Sequence, residues 1–168
     1  AKPVRHTAIV VGAGPVGLMA AIDLALQDIG VMVLDENSKV STGSRAICIA
    51  KRSLEIQDRL GCGQPMVDKG VVWSLGKVFF GSRKVYEFNL LPESGHKRPA
   101  FINLQQYHLE KYLVDRVMEL QRHGKKIDIR GGNKVTHVVP ADDHVSVTVA
   151  TPEGTYTVEA DWLVACDG

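Results

Sequence analysis

Residues 8–35 decide the fold of this chain, and they read AIVVGAGPVGLMAAIDLALQDIGVMVLD. A β-branched run leads into a G-x-G-x-x-G pattern and an apolar helical stripe, and the apolar run Val31–Leu34 then ends at Asp35. The glycines of the pattern are Gly12, Gly14 and Gly17. Strand, glycine turn, helix, strand and terminal acid in this order predict a Rossmann-like βαβ unit within a parallel sheet. Gly30 is predicted to end the helix.

Each part of this unit suits the binding of a dinucleotide. Gly12 allows a sharp turn, Gly14 lets a pyrophosphate approach the backbone, and Gly17 lets the helix pack on the sheet. The helix amino terminus favours a phosphate, and the Asp35 carboxylate can bind a ribose diol while repelling the 2′-phosphate of NADP. The unit is therefore predicted to hold the adenosine half of FAD or NAD; the alternative is a glycine-rich turn without a ligand. The predicted contacts are Gly12, Gly14, Pro15, Val16, Gly17, Asp35 and Glu36.

The chain is long enough for one domain with a core of its own, and the βαβ unit predicts the α/β class. The 168 residues carry a net charge of +1 with both signs mixed, which gives no indication of nucleic-acid binding. No apolar run is long enough to span a membrane, and the amino terminus lacks the features of a signal peptide. Three cysteines without a C-x-x-C pair fit a reducing cytoplasm. We therefore expect a cytoplasmic protein with no membrane or nucleic-acid partner, and the scattered histidines predict no metal site.

A polar loop and a short helix are predicted after Asp35. The loop spans Glu36–Arg45, at the edge of the sheet where ligands bind in open α/β folds. The helix spans Lys51–Leu60, and Gly61 and Gly63 are predicted to end it.

Residues 71–88 change in character, because β-branched and aromatic residues form strand-like runs there. Gly81 and Ser82 suit a two-residue hairpin turn. The clustered aromatic side chains are Trp73, Phe79, Phe80, Tyr86 and Phe88. They form either a wall for an aromatic substrate or the packed back of a small sheet, and the sequence leaves both interpretations open.

A second clear helix is predicted to start at Asn103, which forms a capping box with Gln106, and to end at Gly124. Its apolar stripe is Leu109, Leu113, Val117 and Leu120. A short strand at Ile127–Arg130 follows.

The last third of the chain predicts strands rather than helices. An antiparallel meander is predicted over Lys134–Val139, Val145–Val149 and Thr155–Glu159. A separate parallel-type strand, Trp162–Cys166, then delivers Asp167 and Gly168 at its carboxyl end.

Four motifs in this order resemble one family. They are VVGAGPVGL at 10–18, SRA at 44–46, NLQQYHLE at 103–110 and LVACDG at 163–168. The chain is similar over about 7–168 to the class A flavoprotein monooxygenases, the FAD-dependent aromatic hydroxylases related to para-hydroxybenzoate hydroxylase. Within them it looks most like the phenol and 3-(3-hydroxyphenyl)propionate hydroxylase branch.

The resemblance implies roles for further residues. Arg45 matches an arginine beside the flavin and pyrophosphate, and Gln106 matches a glutamine near the pyrophosphate. Asp167 and Gly168 match the start of a fingerprint linked to FAD and NADPH contact. Asp35 matches the ribose-binding acid, where glutamate is commoner. Family members continue well beyond this length, so the chain is expected to be the amino-terminal part of a longer enzyme, with residues 70–102 contributing to a substrate-binding sheet.

The activity implied by the resemblance is hydroxylation of a phenolic substrate. NADH or NADPH would reduce the flavin, which would react with molecular oxygen to a C4a-hydroperoxide and transfer a hydroxyl group. The catalytic residues are not identified by these motifs, the 168 residues alone are expected to be inactive, and a homodimer is an expectation for the full-length protein. The alternatives are an NAD-dependent dehydrogenase and a non-catalytic nucleotide-binding fragment.

Overall fold

The computed structural model describes residues 3–38 and 46–168. In chain order the elements are β1 (Val4–Val11), α1 (Pro15–Leu26), β2 (Val31–Leu34), β3 (Cys48–Ala50), α2 (Lys51–Arg59), α3 (Gly63–Lys69), β4 (Val71–Trp73), β5 (Leu75–Phe80), β6 (Arg83–Asn89), β7 (Phe101–Asn103), α4 (Gln106–Arg122), β8 (Ile127–Arg130), β9 (Lys134–Pro140), β10 (Val145–Thr151) and β11 (Gly154–Ala165). These elements confirm the predicted α/β class with a Rossmann-like unit and an antiparallel meander.

A mixed sheet of six strands within these ranges has the order β8-β2-β1-β11-β10-β9. The strands β8, β2, β1 and β11 run parallel, whereas β10 and β9 continue the sheet antiparallel. Since the four parallel strands point the same way, their carboxyl ends meet at one edge of the sheet. That edge carries the glycine turn after β1 and Asp35 after β2.

The last strand differs from its prediction. Thr155–Glu159 and Trp162–Cys166, predicted as separate strands, form the single strand β11. Its first part pairs antiparallel with β10 as far as Ala160, and its second part pairs parallel with β1 from Val158 onward. One strand therefore joins the meander to the parallel sheet, because it has a different neighbour on each side.

The core lies on both faces of this sheet. Helices α1 and α4 cover one face, where the largest fully buried side chains of α1 are Leu18 and Ile22. The other face carries a second cluster of buried apolar side chains, which come from the strands and include Ile9, Met32 and Val147. Burying apolar area at about 25 cal/mol per Å² makes these two layers the main source of stability.

The end of α1 corrects one prediction. The helix ends at Leu26, and the left-handed conformation is taken by Asp28, with φ 62°, rather than by Gly30. Aspartate tolerates this conformation better than most residues with a side chain. The Asp28 carboxylate accepts a hydrogen bond from Lys125 Nζ at 2.7 Å, which fixes the turn against the segment after α4.

The start of α4 corrects a second prediction. The helix begins at Gln106, and Gln105 at its N-cap provides no side-chain bond, so the predicted capping box of Asn103 and Gln106 is wrong. Asn103 is instead the last residue of β7, and its Oδ1 accepts a hydrogen bond from Trp73 Nε1 at 2.8 Å. The predicted buried stripe is confirmed, and Gly124 ends the helix with φ 83°.

Helix α2 ends as predicted at Gly61, which has φ 83°. Gly63, in contrast, begins α3, a helix that the sequence pattern did not predict. The Arg98 side chain, only 5% exposed, donates from Nε to Asp58 Oδ2 at 2.7 Å and from Nη2 to Oδ1. This pair ties the loop before β7 to α2.

The described residues also form two small sheets, one of three strands and one of two. Strand β7 pairs with β3 and β4, and β5 and β6 form the predicted hairpin around Gly81 and Ser82. Trp73 stacks on Phe101 at a centroid distance of 5.2 Å. In contrast, the three aromatic side chains nearest the hairpin turn expose more than half of their surface; they are Phe79, Phe80 and Tyr86. Packing within these sheets thus explains only part of the predicted aromatic cluster.

Candidate functional site

A groove with a volume of about 1250 Å³ lies at the carboxyl edge of the parallel strands, between the glycine turn and α4. It brings together six of the residues predicted to contact a cofactor, namely Gly12, Gly14, Asp35, Glu36, Gln106 and Asp167. The predicted residues Pro15, Val16, Gly17 and Gly168 are not part of its lining. Arg45 lies outside the described residues.

The three glycines of the turn have different surroundings. A Cβ on Gly17 would lie 1.8 Å from the carbonyl oxygen of Gly12, and a Cβ on Gly12 would lie 2.7 Å from the carbonyl oxygen of Cys166. Gly12 also has φ 98°, which side chains rarely tolerate. A Cβ on Gly14 would meet no atom within 4 Å. Gly12 and Gly17 are therefore required by packing, whereas Gly14 faces open space.

The amino terminus of α1 opens onto this space. Gly14 is the N-cap, Pro15 is the first helical residue, and no described side chain caps the terminus. The first amides of a helix have no partner within the helix, and together with the helix dipole they form an anion site. The absence of a Cβ at Gly14 leaves room for a phosphate group to reach them, so this terminus fits the diphosphate of a dinucleotide.

The Asp35 carboxylate lies against the glycine turn, on the same side of the groove. Its Oδ2 accepts a hydrogen bond from the Ala13 amide at 2.6 Å. Its Oδ1 accepts bonds from the Asn37 amide at 2.7 Å and from Asn37 Nδ2 at 3.1 Å. The backbone is held too, since Asp35 donates to the Arg130 carbonyl and accepts from the Asn133 amide. The acid therefore has a fixed position next to the place where a ribose would follow the diphosphate.

Helix α4 supplies the opposite wall through its first turn. Gln106 Nε2 donates to Glu110 Oε1 at 2.7 Å. Glu110 is only 4% exposed although it carries a carboxylate, and both residues line the groove. The sequence predicts no role for Glu110, although this charged residue directly follows Leu109 of the apolar stripe.

Strand β11 closes the groove near the glycine turn. The Cys166 amide donates to the Val11 carbonyl at 2.7 Å, which brings Cys166 and Asp167 to the groove lining. Burial raises the pKa of the Cys166 thiol, and the neighbouring Asp167 charge raises it further. The thiol is thus a poor nucleophile and is here a wall residue.

The sequence does not predict two residues of the groove rim beyond Asp35, namely Asn133 and Lys134. Lys134 Nζ forms an ion pair with Glu36 Oε2 at 2.9 Å, and Asn133 lies beside them in the lining. Tyr156 donates its hydroxyl to Asn133 Oδ1 at 2.6 Å. They could have been found only from the order of the strands, because residues that follow β8 reach the same sheet edge as those that follow the parallel strand β2.

Comparison with known proteins gives the family of this chain. The family model described as FAD binding domain matches residues 5–168. A 12-dehydrotetracycline 5-monooxygenase/anhydrotetracycline 6-monooxygenase of Streptomyces rimosus is 31% identical over 98% of this chain and 31% of its own length. A 3-(3-hydroxy-phenyl)propionate/3-hydroxycinnamic acid hydroxylase of Klebsiella pneumoniae is 32% identical over 98% of this chain and 30% of its own length.

Among solved structures, a p-nitrophenol 4-monooxygenase of Pseudomonas putida superposes with a TM-score of 0.88 at 26% identity, over 99% of this chain and 42% of that chain. This chain spans about a third of the length of the curated relatives cited above. The resemblance to the FAD-dependent aromatic hydroxylases is confirmed, FAD is the cofactor, and the chain belongs to the FAD binding domain family.

Proposed function

We propose that this chain is the amino-terminal, cofactor-binding part of a longer FAD-dependent monooxygenase that hydroxylates an aromatic substrate. One observation carries the proposal: the uncapped amino terminus of α1 and the fixed carboxylate of Asp35 lie side by side at one groove. An anion site next to a diol acceptor suits the adenosine diphosphate half of FAD.

The proposed contacts run from the first turn of α1 to the rim of the adjoining groove. The amides of Val16 and Gly17 bind the diphosphate, Pro15 sets the helix start, and Gly14 leaves room for the phosphate. Asp35 accepts a ribose hydroxyl, and Glu36 borders the same rim.

Further roles are carried over from the resemblance. Gln106, Arg45, Asp167 and Gly168 are proposed to approach the diphosphate and the flavin. No residue is proposed as the catalytic acid or base.

Bound FAD would supply the redox chemistry, with NADH or NADPH as reductant and molecular oxygen as co-substrate. The protein's part is to hold the dinucleotide along the groove and to shield it from water. The C4a-hydroperoxide route, the inactivity of these residues alone and a homodimer stay predictions from the resemblance.

The substrate class is proposed from the relatives. Their names include p-nitrophenol and 3-(3-hydroxy-phenyl)propionate among the compounds that those proteins act on. Residues 70–102 are proposed to contribute to a substrate-binding sheet, because the exposed aromatic side chains of Phe79, Phe80 and Tyr86 lie on its hairpin. None of the helices in the described ranges is long and apolar enough to cross a membrane.

The test compares the full-length protein with its Asp35→Ala variant. We expect a bound yellow chromophore and phenol-dependent oxidation of NADH or NADPH, and we expect Asp35→Ala to weaken FAD binding about ten- to hundredfold, because hydrogen bonds to a charged group are worth about 1.5–3 kcal/mol. Asp115→Ala is the matched control, since its exposed carboxylate pairs with the exposed Lys111 on α4 and does not line the groove. NAD(P)H oxidation that transfers hydride to the substrate without oxygen would favour the dehydrogenase alternative and refute the proposal.

A further inference from the structure

The Asp35 carboxylate is already bonded to three protein donors before any ligand is considered. Asn37 supplies two of them, its amide and its Nδ2, and both reach Oδ1. Ala13 supplies the third, to Oδ2. A carboxylate offers about four acceptor positions, so one position, on Oδ2, is left for a ligand. The protein therefore decides which carboxylate oxygen a ribose can use.

Aspartate needs this support more than glutamate would. Its side chain is one methylene shorter, so its reach toward a ligand depends on how the carboxylate is rotated, and that terminal rotation is only weakly restricted by itself. The Ala13 bond holds one oxygen at the glycine turn, and the two bonds from Asn37 hold the other oxygen away from it. The plane of the carboxylate is thereby fixed at both ends.

Asn37 has little other reason to be where it is. Its side chain is exposed and lines the groove. The backbone bond from residue 37 would remain with any residue except proline at this position, so the side chain adds only the Nδ2 donor. Loss of one exposed hydrogen bond changes the stability of the fold little.

We propose that Asn37 is a positioning residue for cofactor binding, which holds the Asp35 carboxylate so that its Oδ2 accepts one hydroxyl of the FAD ribose. The inference rests on the proposed function, because it requires the ribose of FAD at Asp35. Asn37 acts through Asp35 and makes no contact of its own with the cofactor. Its effect on affinity must therefore vanish when the carboxylate is removed.

The test is a double-mutant cycle on the full-length protein, using Asp35→Ala, Asn37→Ala and the double variant, with FAD affinity measured by quenching of flavin fluorescence. Asn37→Ala is expected to weaken FAD binding about fivefold in the wild-type background and not at all in the Asp35→Ala background. Asn89→Ala is the control, since Asn89 is an exposed asparagine outside the groove lining, and its Oδ1 accepts a hydrogen bond from the Leu91 amide rather than holding a carboxylate.

Two outcomes overturn the proposal. An equal loss in both backgrounds would show that Asn37 acts independently of Asp35, and wild-type affinity of Asn37→Ala would show that it has no role. A variant that keeps the shape, Asn37→Asp, replaces the donor by a like charge and must bind FAD more weakly than Asn37→Ala at pH 8. If Asp35→Ala alone leaves FAD affinity unchanged, the proposed function fails at this site, which is a separate result.

Discussion

Two alanine substitutions in the glycine turn separate the cofactor site from the fold. A methyl group on Gly17 would lie 1.8 Å from the Gly12 carbonyl oxygen and 3.3 Å from Val10 Cγ1, so α1 must move away from β1. A methyl group on Gly14 meets no atom within 4 Å, and the residue has φ −73° and ψ −176°, which alanine adopts readily. The first change should therefore affect stability, and the second should affect only ligand binding.

The magnitudes follow from these surroundings. Overpacking costs about 1–3 kcal/mol, and Gly17→Ala lies at the upper end because its neighbour is backbone. At about 2–4 °C per kcal/mol for a domain of this size, the Tm should fall by about 6–12 °C. Gly14→Ala should stay within about 1 kcal/mol of wild type, because a poorer N-cap is offset by a less flexible unfolded chain. In the proposed binding mode its methyl group would occupy the space of the diphosphate, so FAD affinity should fall about 100-fold.

The assay is thermal unfolding of both variants without cofactor, followed by fluorescence titration with FAD. Wild-type FAD affinity of Gly14→Ala would refute the reasoning, because the diphosphate would then not pass this glycine. An unchanged Tm of Gly17→Ala would show that the close approach of α1 and β1 is not required.

Three further results are expected. Asp58→Asn should cost about 3 kcal/mol in denaturant unfolding because it breaks a pair with the buried Arg98, whereas Asp23→Asn at an exposed pair should cost below about 1 kcal/mol. The hydrogen bond from Arg98 lowers the pKa of the Asp58 carboxyl below its ordinary 3.8. The stabilisation is therefore complete above pH 3.8 and is lost as the pH falls through the pKa of the folded state. In this acidic range the Tm of Asp58→Asn should depend less on pH than the Tm of the wild type. Mass spectrometry after a thiol reagent at pH 8 should find Cys48 labelled and Cys62 protected, because burial raises the pKa of Cys62 to about 11. Rapid labelling of Cys62, or an equal loss of unfolding free energy in both aspartate variants, would contradict these expectations.

The βαβ unit could be predicted because its signals are local. The glycine spacing, the apolar runs and Asp35 each depend on a few neighbouring residues, and β1, α1 and β2 lie where these signals indicate. The error at the start of α4 has a different origin. The spacing of Asn103 and Gln106 predicts a capping box, but Asn103 Oδ1 accepts its hydrogen bond from Trp73, which lies 30 residues away in sequence.

The site was harder to predict than the fold, because it depends on contacts across the sheet. Asn37 and Glu110 have no pattern of their own, and their importance follows only from what they bond. Lys134 reaches the rim because β8 is next to β2 in the sheet order. The continuous strand β11 escaped prediction for the same reason, since its two partners lie at opposite ends of the chain.

The most direct test of the central claim is a crystal structure of the protein with FAD bound. We expect diphosphate oxygens at hydrogen-bond distance, about 3 Å, from the first amides of α1, and one ribose hydroxyl at a similar distance from Asp35 Oδ2. A dinucleotide whose diphosphate lies elsewhere, or whose ribose makes no contact with Asp35, would contradict the account.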